Sequence, residues 1–184
     1  MEEKKTKKVW RSFDWMPSVE LKNLGEGVKP RAAHGASIGY DLCAARDTYI
    51  KPKSRTIVWT DIAVNLLPCV EGKIEARSGF SAKGMEGYGK RRVWRRLFGI
   101  LPWLSSRRGM YRYDADVITG KIDPGYHDNI GIIVRSNDRE GFVVKAGTRL
   151  AQITFYRVVK PRLKFVDELS GEDRGGGFGS TGVK

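Results

Sequence analysis

The sequence is poor in the residues that build metal cages and disulfide frameworks, with only two cysteines and two histidines in 184 residues. Cys43 and Cys69 sit in apolar, strand-like contexts without metal-ligand spacing. Two buried thiols in a reducing compartment are therefore expected, rather than a disulfide scaffold or a zinc site. Long apolar runs are also missing. The longest, residues 97–104, contains Gly99 and Pro102 and falls far short of the roughly 20 residues that span a bilayer. The opening MEEKKTKK lacks the apolar stretch of a secretory signal. The expectation is a cytoplasmic protein, in the host-cell cytoplasm if viral, neither secreted nor transmembrane. Acidic residues are in deficit, 21 Asp+Glu against 34 Lys+Arg, for a net charge of +13.

What is present suits one folded domain. Hydrophobic residues make up 40% and charged residues 30% of the chain, which excludes wholesale disorder, and the length allows a single full core. The positive charge is local. Residues 1–11 carry a net +3 and residues 86–114 a net +6, leaving +4 on the other 144 residues. The basic balance thus belongs to two segments and is a weak argument for nucleic-acid binding by the whole protein. No stable nucleic-acid partner is expected.

Short runs rich in Val, Ile, Tyr and Thr read as strands at 40–44, 55–62, 72–76, 129–136, 141–144 and 150–159. Turn residues separate them, among them Lys51-Pro-Lys-Ser, Asp123-Pro-Gly and Lys145-Ala-Gly. Many short strands at this spacing predict an all-β jelly roll or β-barrel. Two stretches depart from the pattern. RRVWRRLFGILPWL at 91–104 places Val93, Trp94, Leu97, Phe98, Leu101 and Leu104 at helical spacing, with arginines at 91, 92, 95 and 96 opposite, and predicts a short basic amphipathic helix. The C-terminal GEDRGGGFGSTGVK is too glycine-rich to hold one conformation alone. The resulting division is a basic extension at 1–27, a β domain at 28–170 with an insert at 86–114, and a glycine-rich arm at 171–184.

Five segments carry chemistry. Asp41, inside Gly39-Tyr-Asp-Leu-Cys-Ala-Ala, is a carboxylate in an apolar strand and needs a partner if buried; a strand-edge Asp with local hydrogen bonds is the plainer alternative. Ala76-Arg-Ser-Gly-Phe-Ser-Ala-Lys-Gly offers a guanidinium, hydroxyls and backbone amides suited to a phosphate chain, or a surface loop with a capping serine. Asp123-Pro-Gly-Tyr126 reads as a type II turn in a hairpin, projecting a carboxylate able to activate water and a ring able to support a base or sugar, or simply as a turn. Gln152 is the polar exception in an apolar strand and needs a hydrogen-bond partner. In the arm, Arg174, Ser180 and Thr181 can bond phosphate oxygens, while Phe178 can stack on a ring.

In this order the five segments resemble the five motifs of the trimeric deoxyuridine triphosphatases (dUTPases), over about residues 28–85 and 115–184. The resemblance implies a jelly-roll-like homotrimer that uses Mg²⁺ to cleave dUTP to dUMP and pyrophosphate. That reaction limits uracil incorporation in DNA and supplies dUMP for dTMP synthesis. It further implies that Asp123 orients and deprotonates the attacking water, and that Tyr126 lies beneath the deoxyribose and excludes ribonucleotides. The stretch from Val117 to Gly120 would read the uracil edge through its backbone. Arg77, Ser78, Gly79 and Gln152 match phosphate-contacting positions, and Asp41 matches a supporting carboxylate. Arg174 would clamp the γ-phosphate, Phe178 would cover uracil, Ser180 and Thr181 would add phosphate ligands, and Gly179 would belong to the same substrate-binding stretch, all reaching a neighbouring subunit's site. Mg²⁺ would be held mainly by the phosphates and water, with no direct protein ligand. His34 and His127 are read as structural.

The departure from the family pattern is the long segment between Lys83 and Ile118. Two readings compete for it: a surface for a membrane or for an anionic or protein partner, or a basic lobe that packs its Trp and Leu side chains on its own trimer. Among enzymes the nearest alternative is a dCTP deaminase, which carries a glutamate three residues before the asparagine that ends the strand after the turn. That position here is Val134, which disfavours deamination. A nucleotide-dependent regulatory or partner-binding protein using the insert is the alternative from another class.

Overall fold

The strand-forming runs build a computed structural model that describes residues 18–97 and 101–173, with side chains for all of these except 93–97 and 101–105. In chain order the elements are β1 (Glu20–Asn23), β2 (Arg31–Ala32), β3 (Tyr40–Cys43), β4 (Thr48–Ile50), β5 (Arg55–Trp59), β6 (Ile62–Asn65), β7 (Val70–Ala76), α1 (Ser78–Lys83), β8 (Met85–Leu97), β9 (Leu101–Tyr113), β10 (Ala115–Ile118), β11 (Gly120–Ile122), β12 (Gly131–Ser136), β13 (Phe142–Val144) and β14 (Arg149–Arg157). They form sheets in the orders β11-β7-β14-β3-β2, β4-β13-β8-β9, β10-β12-β5 and β1-β6. One core fills the space between them, built from Leu42, Ile50, Val58, Ile74, Ile132, Val134, Phe142, Leu150 and Ile153, among others. Each such side chain contributes about 1.5–3 kcal/mol relative to exposure. In β12 the alternation is clean, Ile132, Val134 and Ser136 facing inward, as the period of two requires. The all-β, jelly-roll-like architecture read from the sequence holds.

Three local readings are corrected. The run 55–62 is two strands in different sheets, broken where Thr60 donates its hydroxyl to the Ile130 carbonyl at 2.9 Å and Asp61 adopts φ +52°. Cys43 is buried but Cys69 is exposed, because it occupies the turn between β6 and β7, where Val70 N–H bonds the Leu67 carbonyl at 3.1 Å and Cys69 itself has φ +61°.

The predicted basic helix at 91–104 is instead the outer part of a hairpin, with β8 and β9 paired in unbroken register from Met85↔Tyr113 to Leu97↔Leu101. A fourteen-residue helix is marginal without tertiary support. The hairpin is already nucleated at its root, where buried Met85 faces buried Tyr113 and Tyr113 stacks on Phe142 with centroids 4.1 Å apart and planes 9° from parallel. Gly87 is required at that root, since a Cβ there would strike the Phe142 ring. Pro102 is tolerated because β9 is the sheet edge.

Candidate active site

Strand register brings one set of polar residues together. Asp41 on β3 lies opposite Arg31 on β2 and opposite Gln152 on β14, and Gln152 lies opposite Glu75 on β7. Residues paired in this way share one face of the sheet. The Asp41 side chain is 9% exposed and bonds two guanidiniums, Arg77 Nε to Oδ1 at 2.9 Å and Arg149 Nη1 to Oδ2 at 3.2 Å. Its buried charge is thus paired, as desolvation demands. Arg77 stands at the N-cap of α1 in extended conformation, followed by exposed Ser78 and Gly79, with open space around Gly79. Beside this cluster is a cavity of about 220 Å³ lined in part by Lys29, Arg31, Asp41 and Arg149. With Glu75 paired to Lys73 at 2.7 Å, Asp41 alone faces Arg31, Arg77 and Arg149, which leaves a positive surplus suited to a polyanion. Burial first, then the Asp41 charge, pushes the Cys43 thiol up, so it remains protonated and inert.

A second set forms around the turn after β11. Tyr126 N–H bonds the Asp123 carbonyl at 3.1 Å and Gly125 has φ +90°, the geometry of a type II turn with Pro124 at its first central position. The expected hairpin is absent. β11 pairs with β7, and after the turn Ile130 N–H bonds the Ile62 carbonyl at 2.9 Å, carrying the chain to a different neighbour. The Asp123 side chain is exposed. The Tyr126 hydroxyl donates to the Asn129 carbonyl at 2.9 Å, and Asn129 Nδ2 donates to Asp61 Oδ1 at 2.8 Å. Asp61 is in turn held by Arg46 Nη2, at 2.8 and 3.0 Å from its two oxygens. Asp61, Asn129 and Arg46 therefore brace the turn. Sequence reasoning missed them, although Asp61 carried the same signal as Asp41, an acid within an apolar run. It also missed Arg149, three residues before Gln152.

Hydrogen bonds, foremost from Asn129 and then from Arg46 and the Glu26 amide, outweigh burial and hold the Asp61 carboxyl below the usual carboxylate range. A depressed folded-state value stabilises the fold above the unfolded carboxyl's pKa near 3.9, and that contribution is lost as pH falls through the folded value. Asp61→Asn is expected to be less stable at neutral pH and to lose less stability on acidification from about pH 5 to about pH 2. Denaturant titrations across that range check this, and identical pH dependence in both proteins would count against it.

The two sets do not meet within one chain. Ile122 lies beside Gly72, near the start of β7, and Arg77 follows the end of that strand. Five to six residues separate their levels, about 16–20 Å at the strand rise. Of the remaining sequence-predicted residues, Val117 is buried in the core and Gly120 lies opposite Ile74. Arg174, Phe178, Gly179, Ser180 and Thr181 lie outside the described residues.

The dUTPase family profile matches residues 27–99 and 98–182, the junction falling between β8 and β9. The chain belongs to the dUTPase family. The deoxyuridine 5'-triphosphate nucleotidohydrolase of Variola virus is 32% identical over 165 residues, 89% of this chain and 92% of that protein. That of Solanum lycopersicum is 31% identical over 170 residues, 91% and 83% respectively. In fold, the dUTPase of Staphylococcus bacteriophage 80alpha with dUPNHPP superposes with a TM-score of 0.71 at 24% identity, covering 91% of this chain and all of that one. The dUTPase of phage phi11 of S. aureus, described with a species-specific insert, gives 0.65 at 22%, covering 85% and 100%.

Proposed function

We propose that this dUTPase hydrolyses dUTP to dUMP and pyrophosphate at sites shared between subunits of a homotrimer. The observation that carries the shared-site reading is the separation of the Asp123–Tyr126 turn from the Asp41–Arg77–Arg149 cluster. Each is half of a site, and a neighbouring copy supplies the other half. A second feature supports assembly. Beyond β14 the side chains of Val159, Leu163, Phe165 and Leu169 are almost wholly exposed, an apolar stretch that needs a surface to cover it.

In this reading Asp41 orients the Arg77 and Arg149 guanidiniums, which with Ser78, Gly79 and Gln152 grip the phosphate chain. The Val117–Gly120 backbone reads the uracil edge, and Tyr126, fixed through Asn129, sits under the deoxyribose where a 2′-hydroxyl would clash. Asp123 takes the proton of the attacking water, and the arm with Arg174, Phe178, Gly179, Ser180 and Thr181 closes over the nucleotide. Among the described residues no group of three or more His, Cys, Asp or Glu is placed to hold a metal ion. The donor set fits a cation that arrives with its own ligands, and Mg²⁺ carried by the phosphates would stabilise charge on the departing pyrophosphate. No helix among the described residues is long and apolar enough to cross a membrane.

Pyrophosphate release measured in parallel on dUTP, UTP, dCTP and dTTP tests the assignment. Strong preference for dUTP is expected, because a pocket that hydrogen-bonds one base edge rejects analogues that leave its groups unpaired. Turnover of dCTP with ammonia release would overturn it in favour of deamination. Against that outcome stands Val134, which is fully buried between Val117 and Thr56 on neighbouring strands, where a catalytic carboxylate has no place.

A further inference from the structure

Against the expectation from composition that no stable nucleic-acid partner exists, we propose that the β8–β9 ribbon, a paired hairpin and not a helix, is a docking element for double-stranded nucleic acid, entering a groove so that each of its faces meets a wall of phosphates. The ribbon leaves the body of the protein early. β13 pairs with β8 only at Tyr88 and Gly89, and beyond that point 90–97 and 101–108 pair only with each other. Like charges oppose each other across it, Lys90 facing Arg108 and Arg91 facing Arg107, an arrangement that destabilises an antiparallel pair. The nearby acids do not relieve it. Glu86 is taken by Arg112 at 3.0 Å, and Glu140 lies 3.7 Å from Arg92. Arg91 rests 5.9 Å from the ring centroids of Tyr111 and Tyr113. A polyanion would remove the repulsion that the fold leaves in place.

The distribution of charge selects the kind of polyanion. Successive residues of a strand face opposite sides and directly paired residues share a side. Lys90, Arg92 and Arg108 therefore occupy one face, and Arg91 and Arg107 the other. A membrane-surface element concentrates cations on one face and apolar side chains on the opposite one, the arrangement that the predicted helix would have had. Cations on both faces of a two-stranded ribbon match the major groove of a duplex, about 12 Å wide and able to admit such a ribbon. The ribbon holds none of the residues assigned to dUTP, so docking and hydrolysis are separable.

Fluorescence anisotropy of the full chain with a labelled mixed-sequence duplex of about 20 base pairs tests the proposal. Four to five released counterions predict a log–log salt slope of about −4, an affinity loss of about 250-fold between 50 and 200 mM salt. K90E/R108E and R91E/R107E each alter one face, and each should weaken duplex binding at least about tenfold. Retained dUTP turnover in both shows that they fold. Absence of duplex binding at 50 mM salt would overturn the proposal, as would binding unaffected by either pair. Tighter binding to vesicles containing phosphatidylglycerol than to duplex would reassign the ribbon to membranes, and salt-insensitive binding would remove the phosphate contacts from the argument.

Discussion

Asp123→Asn is expected to turn over dUTP at no more than about one hundredth of the wild-type rate while still binding it. The substitution keeps the shape of the turn, since the Asp123 group that closes it is the backbone carbonyl, which bonds the Tyr126 amide at 3.1 Å. What changes is the exposed side chain, from a proton acceptor to a neutral amide. The signature is a fall in kcat with little change in nucleotide affinity, because a water-activating base acts in the transition state and not in ground-state binding. Steady-state kinetics on dUTP, together with calorimetric titration of a non-hydrolysable analogue, separates the two quantities. Wild-type kcat in the variant would reduce Asp123 to a turn residue.

The parts of the candidate site legible in the sequence were those with a local physical anomaly. Asp41 was readable because a carboxylate between apolar neighbours requires a partner, and the structure supplies Arg77 and Arg149. The turn at Asp123 was readable because Pro and Gly occupy the two positions that a type II turn demands. Arg149, Asn129 and Arg46 had no such mark. Each is an ordinary polar residue whose importance comes from what the topology sets opposite it, across sequence separations of 108 residues for Arg149–Asp41 and 68 for Asn129–Asp61. The ribbon was misread for a related reason. Its apolar residues match a helical period locally, but strand pairing propagates outward from the stacked Tyr113 and Phe142, a contact that no window around 91–104 contains. The all-β class survived these misreadings because it rests on many short β-branched runs, no one of which decides it.

The distance between the Asp123–Tyr126 turn and the Asp41–Arg77–Arg149 cluster is the feature least accessible to sequence, and it leads to the second large effect. Arg77→Ala removes a guanidinium from Asp41 and from the proposed phosphate grip, and Asp123→Asn removes the proposed base, so each variant alone is expected to be nearly inactive. When the two are unfolded together, refolded as mixed trimers and assayed, activity should return. If a site takes Asp123 from one subunit and Arg77 from another, random assembly leaves about a quarter of sites with both groups intact. If both groups came from the same chain, every site would carry one lesion and nothing would return. The strand geometry favours recovery, because β7 holds Gly72, beside Ile122, and Arg77 on a rigid rail that cannot fold the two ends together without breaking its ladder to β14. Pyrophosphate release from mixtures with verified heterotrimer content is the measurement. Recovery to tens of per cent of wild type would establish the shared site, and none would place Asp123 and Arg77 in the same subunit's chemistry, requiring a rearrangement of β7 or β11 that the ladder energetics oppose at about 0.5–1.5 kcal/mol per hydrogen bond.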